Sequence, residues 1–159
     1  MKIKLEDKFM KLAISEARKN LKLMHGGPFG ACIAKNGKVL AVARNTVLEN
    51  DATCHAEINA IRIASKKIKS FDLSECVIYS TTEPCPMCFS AIHWARIDTV
   101  VFGTTIQDAQ RIGFNELKIS SVMLRSIGNS KVKILKSKLI KKCQKLFSDW
   151  YILPGRRIY

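Results

Sequence analysis

Two short stretches carry residues whose types and spacing could do chemistry: Cys54-His55-Ala56-Glu57 and Glu83-Pro84-Cys85-Pro86-Met87-Cys88. Cys85 and Cys88, three apart on a predicted helix, share one face, as two ligands of a single ion must. In the first helical turn, the positive helix end favours the thiolate, the form that binds metal. His55, at the start of the preceding predicted helix, supplies a third ligand. Three protein ligands leave a fourth position for water, which marks a catalytic zinc site rather than a structural one. Neither other histidine is an obvious fourth ligand, since His25 lies in a Gly-rich loop and His93 on the third helix. Bound zinc lowers the pKa of water to about 7, so hydroxide exists at neutral pH. Glu57 points away from the ligand direction, towards substrate, and reads as an acid/base group rather than a ligand. The expected reaction class is hydrolytic, with zinc-activated water as nucleophile and Glu57 moving the proton. The non-enzymatic alternative is a structural zinc module, which has no need of Glu57 or of an open position.

The elements that must position these residues follow from pattern. Apolar residues at Phe9, Ala13, Ala17, Leu21 and Met24 predict a helix from Leu5 to Met24. His25 to Gly30 forms a loop. Ala31–Lys35 and Lys38–Ala43 flank Asn36-Gly37, a hairpin signal that makes the first two strands antiparallel. After a polar loop, a second helix runs from about Cys54 to Lys67, with Asp51 or Thr53 as its cap. Glu75–Ser80 reads as a buried strand, Pro84–Ala95 as a third helix with Pro in its first turn, and Thr99–Phe102 as a strand parallel to the last. Gln107–Leu117 is irregular or short-helical, with a turn at Gly113 to Glu116. Lys131–Leu135 suggests a final strand, and Leu135, Leu139, Cys143, Leu146, Phe147 and Trp150 form the stripe of a closing helix.

The 159 residues form one expected domain, 1–159, with 151–159 as a C-terminal tail. The N-terminal stretch is interrupted by charge and lacks an apolar signal core, and no apolar run approaches membrane-spanning length, so the expected location is cytoplasmic. Six cysteines in such a chain are expected to be reduced, with Cys32, Cys76 and Cys143 in the core and Cys54 as packing. The net charge is +14, and between Glu116 and Asp149 there is no acidic residue, while Lys118, Arg125, Lys131, Lys133, Lys136, Lys138, Lys141, Lys142 and Lys145 are basic. That field suits a polyanion such as RNA, or is a solvated face; no aromatic residues interleave with it as stacking platforms.

His-x-Glu followed by Pro-Cys-x-x-Cys resembles the zinc-deaminase signature. From about Gly26 to Glu116 the chain looks like the cytidine/deoxycytidylate deaminase superfamily, in the branch of guanine deaminases and tRNA adenosine deaminases. The resemblance implies an α/β fold, a three-layer α/β/α sandwich around a five-stranded mixed sheet, usually as a homodimer, with one zinc ion per subunit. Gly26-Gly27-Pro28-Phe29-Gly30-Ala31, the Trp94 that follows Cys88 in Ala91-Ile92-His93-Trp94-Ala95-Arg96, and Asp108-Ala109 with Gly113-Phe114-Asn115-Glu116 are similar to guanine deaminases. So is a last residue Tyr159, a position from which such enzymes can reach a neighbouring subunit's active site, implying possible tail exchange.

The substrate-binding residues implied by the resemblance are Phe29, Asn45, Ala56, Trp94, Glu116 and Tyr159. Asn45 matches the family's amide if the loop to His55 is one residue shorter; the ungapped match is Arg44. Glu116 stands where the family usually has Asp. The expected substrate is guanine, converted to xanthine with Glu57 shuttling the proton. The alternatives are adenosine in a tRNA loop, favoured by the basic C-terminal third, or a related nucleoside such as guanosine or cytidine.

Overall fold

The computed structural model of the chain describes residues 5–159, so the charged start at positions 1–4 lies outside it. Five strands form one sheet in the order β2-β1-β3-β4-β5. They are β1 (Gly30–Lys35), β2 (Lys38–Arg44), β3 (Cys76–Thr82), β4 (Thr99–Thr104) and β5 (Lys133–Lys136). β1 pairs antiparallel with both β2 and β3, whereas β3, β4 and β5 run parallel. The β1–β2 turn has Asn36 at φ 49° and Gly37 at φ 75°. Two positive φ values in a two-residue loop make the turn whose twist matches the strands, as the Asn-Gly pair predicts.

Helices cover both faces of the sheet, as a mixed sheet with parallel strands requires. Ala56, Ala60 and Ala64 of α3 (Ala56–Ile68) and Phe89 and Ile92 of α4 (Pro86–Trp94) pack with Ile33, Ile78 and Val100 on one face. Phe9, Met10, Ala13, Ile14 and Ala17 of α1 (Asp7–Arg18), with Cys143 and Leu146 from the last helix, pack on Cys32, Val77, Tyr79 and Val101 of the other. The alternation of Val77, Ile78 and Tyr79 between the faces is the two-residue period of a strand buried on both sides. The architecture is the expected three-layer α/β/α sandwich.

The N-terminal helix is not continuous to Met24. It ends at Arg18, and a short α2 (Asn20–Leu23) follows, closed by Met24 at φ 53°. Its stripe is buried through Ala17, but Leu23 and Met24 are exposed. The second helix begins at Ala56, and its cap is His55 rather than Asp51 or Thr53; Asp51 instead accepts from the Thr53 N–H at 2.7 Å in a turn just before it. The third helix is capped by Cys85, with Pro86 in its first turn. Two of the three expected metal ligands therefore sit at helix N-caps. α5 (Ile106–Arg111) starts with a capping box between Thr105 and Asp108, and α7 (Ile140–Tyr151) closes the chain. Leu135 belongs to edge strand β5 and is 40% exposed, so the closing-helix stripe begins only at Leu139. The sequence reading omitted α6 (Ser121–Ile127), whose cap Ser120 accepts from Met123 N–H at 3.1 Å.

Candidate functional site

His55 Nδ1 lies 3.6 Å from Cys85 Sγ and 3.5 Å from Cys88 Sγ, and the three ligand atoms all fall within 4.8 Å of one another. A tetrahedral ion with metal–nitrogen near 2.0 Å and metal–sulfur near 2.3 Å sets its nitrogen and sulfur ligands about 3.5 Å apart. The cluster therefore fits zinc in spacing and donor chemistry. The neighbouring Cys88 and His55 hold Cys85 down to about 4 against the opposing effect of burial. Burial drives Cys88 the other way, well above an ordinary thiol. Metal binding here takes one sulfur already poised as thiolate and releases the proton of the other.

Glu57 is buried beside this cluster and is not one of its three donors. The Ser80 hydroxyl at the sheet end of β3 donates to Glu57 Oε1 at 2.9 Å, while Oε2 lies 3.5 Å from Cys88 Sγ. Burial, the largest influence on the carboxyl, raises its pKa. A carboxyl in this setting can hold a proton close to the metal cluster and pass it on.

Above these groups opens a cavity of about 280 Å³, lined by Phe29, Asn45, His55, Glu57, Cys85, Phe114, Glu116 and Tyr159 among others. Asn45 Oδ1 accepts from the Val47 N–H at 3.1 Å and the Tyr159 hydroxyl at 2.7 Å. A backbone N–H can only donate, so the amide is fixed with its oxygen on Val47 and its Nδ2 free to donate to a ligand. Glu116 supplies the opposite character. Burial, aided by the neighbouring Cys85 sulfur, pushes its carboxyl up to about 7, and the Gln110 side chain holds its carbonyl at 3.0 Å. Phe29 and Phe114 meet edge to face with centroids 4.8 Å apart, and Tyr159 meets Phe114 at 5.4 Å, giving the cavity an aromatic wall. Burial raises the Tyr159 phenol to about 12, so it remains a donor.

The cavity thus gathers Phe29, Asn45, Glu116 and Tyr159 about the metal cluster and Glu57. Tyr159 reaches the cavity of its own chain. Asn45, not Arg44, lines the cavity; Arg44 turns to Glu16, with Nη1 2.7 Å from Oε1. Trp94 is a correction. It is 78% exposed and does not line the cavity. Cys88, Phe89 and Ile92 form the buried side of α4, and two residues past Ile92 is about 200° round the helix. Ala56 is completely buried in the first turn of α3 and likewise does not line the cavity.

Sequence reasoning missed Ser80, Phe114 and Glu83 as members of the site. Glu83 accepts from Ser121 N–H at 2.9 Å and Ile106 N–H at 3.3 Å, tethering the starts of α6 and α5 to the cavity's edge. An acid between a buried-strand pattern and Pro84-Cys85 was the available signal for it.

Residues 3–104 match the family model described as the cytidine and deoxycytidylate deaminase zinc-binding region. The guanine deaminase of Bacillus subtilis is 42% identical over 109 residues, 68% of this chain and 70% of that protein. A solved structure of the B. subtilis enzyme superposes with a TM-score of 0.68 over 98% of this chain and 99% of its own, at 32% identity. The tRNA-specific adenosine deaminase of Buchnera aphidicola subsp. Schizaphis graminum is 33% identical over 125 residues, 78% of this chain and 80% of its own. In fold, the guanine deaminase of Nitrosomonas europaea superposes with a TM-score of 0.84 at 24% identity, over 95% of this chain and 87% of that one.

Proposed function

The chain belongs to the cytidine and deoxycytidylate deaminase family and is a zinc-dependent hydrolytic deaminase, and we propose that its substrate is a purine base, guanine, converted to xanthine and ammonia. The observation that carries this reading is that Glu116 and Asn45 both line one small cavity beside the His55, Cys85 and Cys88 cluster. At about 280 Å³ the cavity is at the small end of ligand sites, which suits a single heterocycle. A fixed amide donor matches the guanine carbonyl oxygen. A carboxylate matches an edge of N–H donors, N1–H and the exocyclic amine.

His55, Cys85 and Cys88 are the proposed metal ligands, and zinc held there supplies Lewis acidity and lowers the pKa of a water to about 7. Glu57 would take one proton from the water that attacks C2 and deliver it to N3, then take the second proton from the resulting C2 hydroxyl and deliver it to the exocyclic amino group, which departs as ammonia. A C2–O bond forms and the C2–N bond breaks. Ser80 holds Glu57 Oε1 so that the other oxygen faces the reacting atoms. Asn45 and Glu116 fix the base edges. Phe29, Phe114 and Tyr159 flank the ring and exclude water.

We further infer one domain spanning the chain and a homodimer. Trp94 of α4 and Val122, Met123 and Ile127 of α6 are exposed, and the two helices pack together; a second copy would cover so large an apolar set. Six cysteines without a disulfide favour a reducing compartment such as the cytoplasm, where purine metabolism would use the activity. A second reading, adenosine in a tRNA loop, is favoured by the nine exposed basic residues between Lys118 and Lys145. Of these only Lys145 has an acidic partner among the described residues, Asp149 at 2.8 Å.

The deciding experiment is ammonia release from guanine, guanosine, adenine, cytosine, cytidine and a tRNA anticodon stem-loop, with Glu57→Ala as control. Guanine is expected to react and the Glu57→Ala protein to be inactive. A stem-loop deaminated while guanine is inert would replace the substrate reading with the second one. Undiminished activity in Glu57→Ala would overturn the mechanism.

A further inference from the structure

Asn20, the first residue of α2, is fully buried. Its Nδ2 donates to two backbone carbonyls, Gly27 and Asn45, each at 2.8 Å. These carbonyls belong to the two loops that carry the cavity rim, one after α2 and one after β2. The same loops meet again at Tyr159. The Gly27 N–H donates to the Tyr159 hydroxyl at 2.8 Å, and that hydroxyl donates to Asn45 Oδ1 at 2.7 Å. Asn20, Gly27, Tyr159 and Asn45 therefore close a ring of hydrogen bonds. Asn45 and Tyr159 line the cavity, while Asn20 and Gly27 stand behind them.

We propose that Asn20 is a positioning residue for substrate recognition, acting through Asn45. It sets the spacing of the Gly27 and Asn45 backbones and so holds the Asn45 amide with its Nδ2 turned to the ligand. The proposal rests on the reading of Asn45 as a ligand-binding residue. Two bonds from one uncharged side-chain nitrogen need a primary amide; a hydroxyl has one proton to give and a carboxylate none. Asn20 Oδ1 is buried without a partner. An apolar side chain would fill the space without that unpaired acceptor, so packing alone does not account for an asparagine here. The fit around Asn45 is tight as well: a Cβ on Gly26 would overlap the Asn45 amide. A small shift of either loop therefore moves the donor.

The test is steady-state kinetics with guanine on zinc-loaded Asn20→Ala, Asn45→Ala and the double variant, with zinc content and thermal melting measured on each. Asn20→Ala is expected to raise KM about tenfold, the scale of a sub-ångström misplacement, with kcat per bound zinc within twofold. In the Asn45→Ala background it is expected to add nothing further. A purely structural role would lower the melting temperature and the active fraction but leave KM unmoved. An unchanged KM in folded, zinc-loaded Asn20→Ala overturns the proposal, and so does a full effect persisting in the Asn45→Ala background. Should Asn20→Ala not fold, Asn20→Ser keeps a small polar side chain in the site without the twin donor and carries the same comparison. A wild-type protein inert on guanine is a separate failure, of the substrate reading; the same cycle then runs on whichever member of the panel is deaminated.

Discussion

Ser80 Oγ donates to Glu57 Oε1 at 2.9 Å, both groups being buried. One oxygen of the carboxyl is thereby committed, and the other, Oε2, lies 3.5 Å from Cys88 Sγ at the metal cluster. Ser80→Ala should lower kcat on the order of tenfold with little change in KM, since Ser80 touches the base-handling groups only through Glu57. It should also cost about 1 kcal/mol of stability, read from denaturant melts. A fall confined to KM would show that Ser80 does not act through Glu57.

Removal of the metal should abolish ammonia release, and added zinc should restore it. Because His55 and Cys85 are both N-caps, their ligation also fixes the starts of α3 and α4. Zinc-loaded protein should therefore melt higher than chelated protein by an amount that rises with free zinc. Cys88→Ser should lose both activity and that melting increment. Melting that ignores zinc would place the ion elsewhere.

Glu116 supplies a pH prediction in the chelated protein. Its carboxyl is pushed up to about 7 from its ordinary 4.5, chiefly by burial. The folded state therefore binds more protons than the unfolded state between these values. Stability from this group is present in acid and is lost as pH rises from 4.5 through 7. Glu116→Gln should make chelated protein more stable than wild type at pH 8, and the gain should vanish by pH 4. An equal gain at both pH values would rule out ionisation as its source.

Trp94 is 78% exposed on the helix that carries Cys88. Trp94→Ser should shift sedimentation towards the monomer, because a large buried aromatic is a typical anchor of an interface. An unchanged sedimentation profile would remove Trp94 from any pairing surface.

Much of the chemistry was legible because it lies in short-range spacing. The pair Cys85 and Cys88, and His55 with Glu57, occupy helix starts whose geometry a few residues determine, and Asn36-Gly37 dictates its turn. Trp94 failed because α4 spans little more than two turns and is apolar on several sides; its sequence does not say which apolar residue faces the sheet. Leu135 failed for a related reason, since an edge strand and a following helix can both present an apolar residue at that place. Ser80, Asn20 and the contact between Tyr159 and Asn45 were invisible because each joins residues far apart in the chain, and only the folded sheet brings them together. That Asn45 lines the cavity while Arg44 pairs with Glu16 was likewise invisible, because Glu16 lies far away in the chain.

The family match ends at residue 104, ten residues short of Phe114 and twelve short of Glu116. The metal cluster and Glu57 fall inside the shared segment, at helix starts braced by the sheet. Glu116 comes from a connection beyond it, and connections accept substitution more readily than the elements they join. Under the proposed reading, one of the two groups that would hold the base can therefore change by rewriting a loop, while Asn45 and the ammonia-releasing machinery stay with the shared frame.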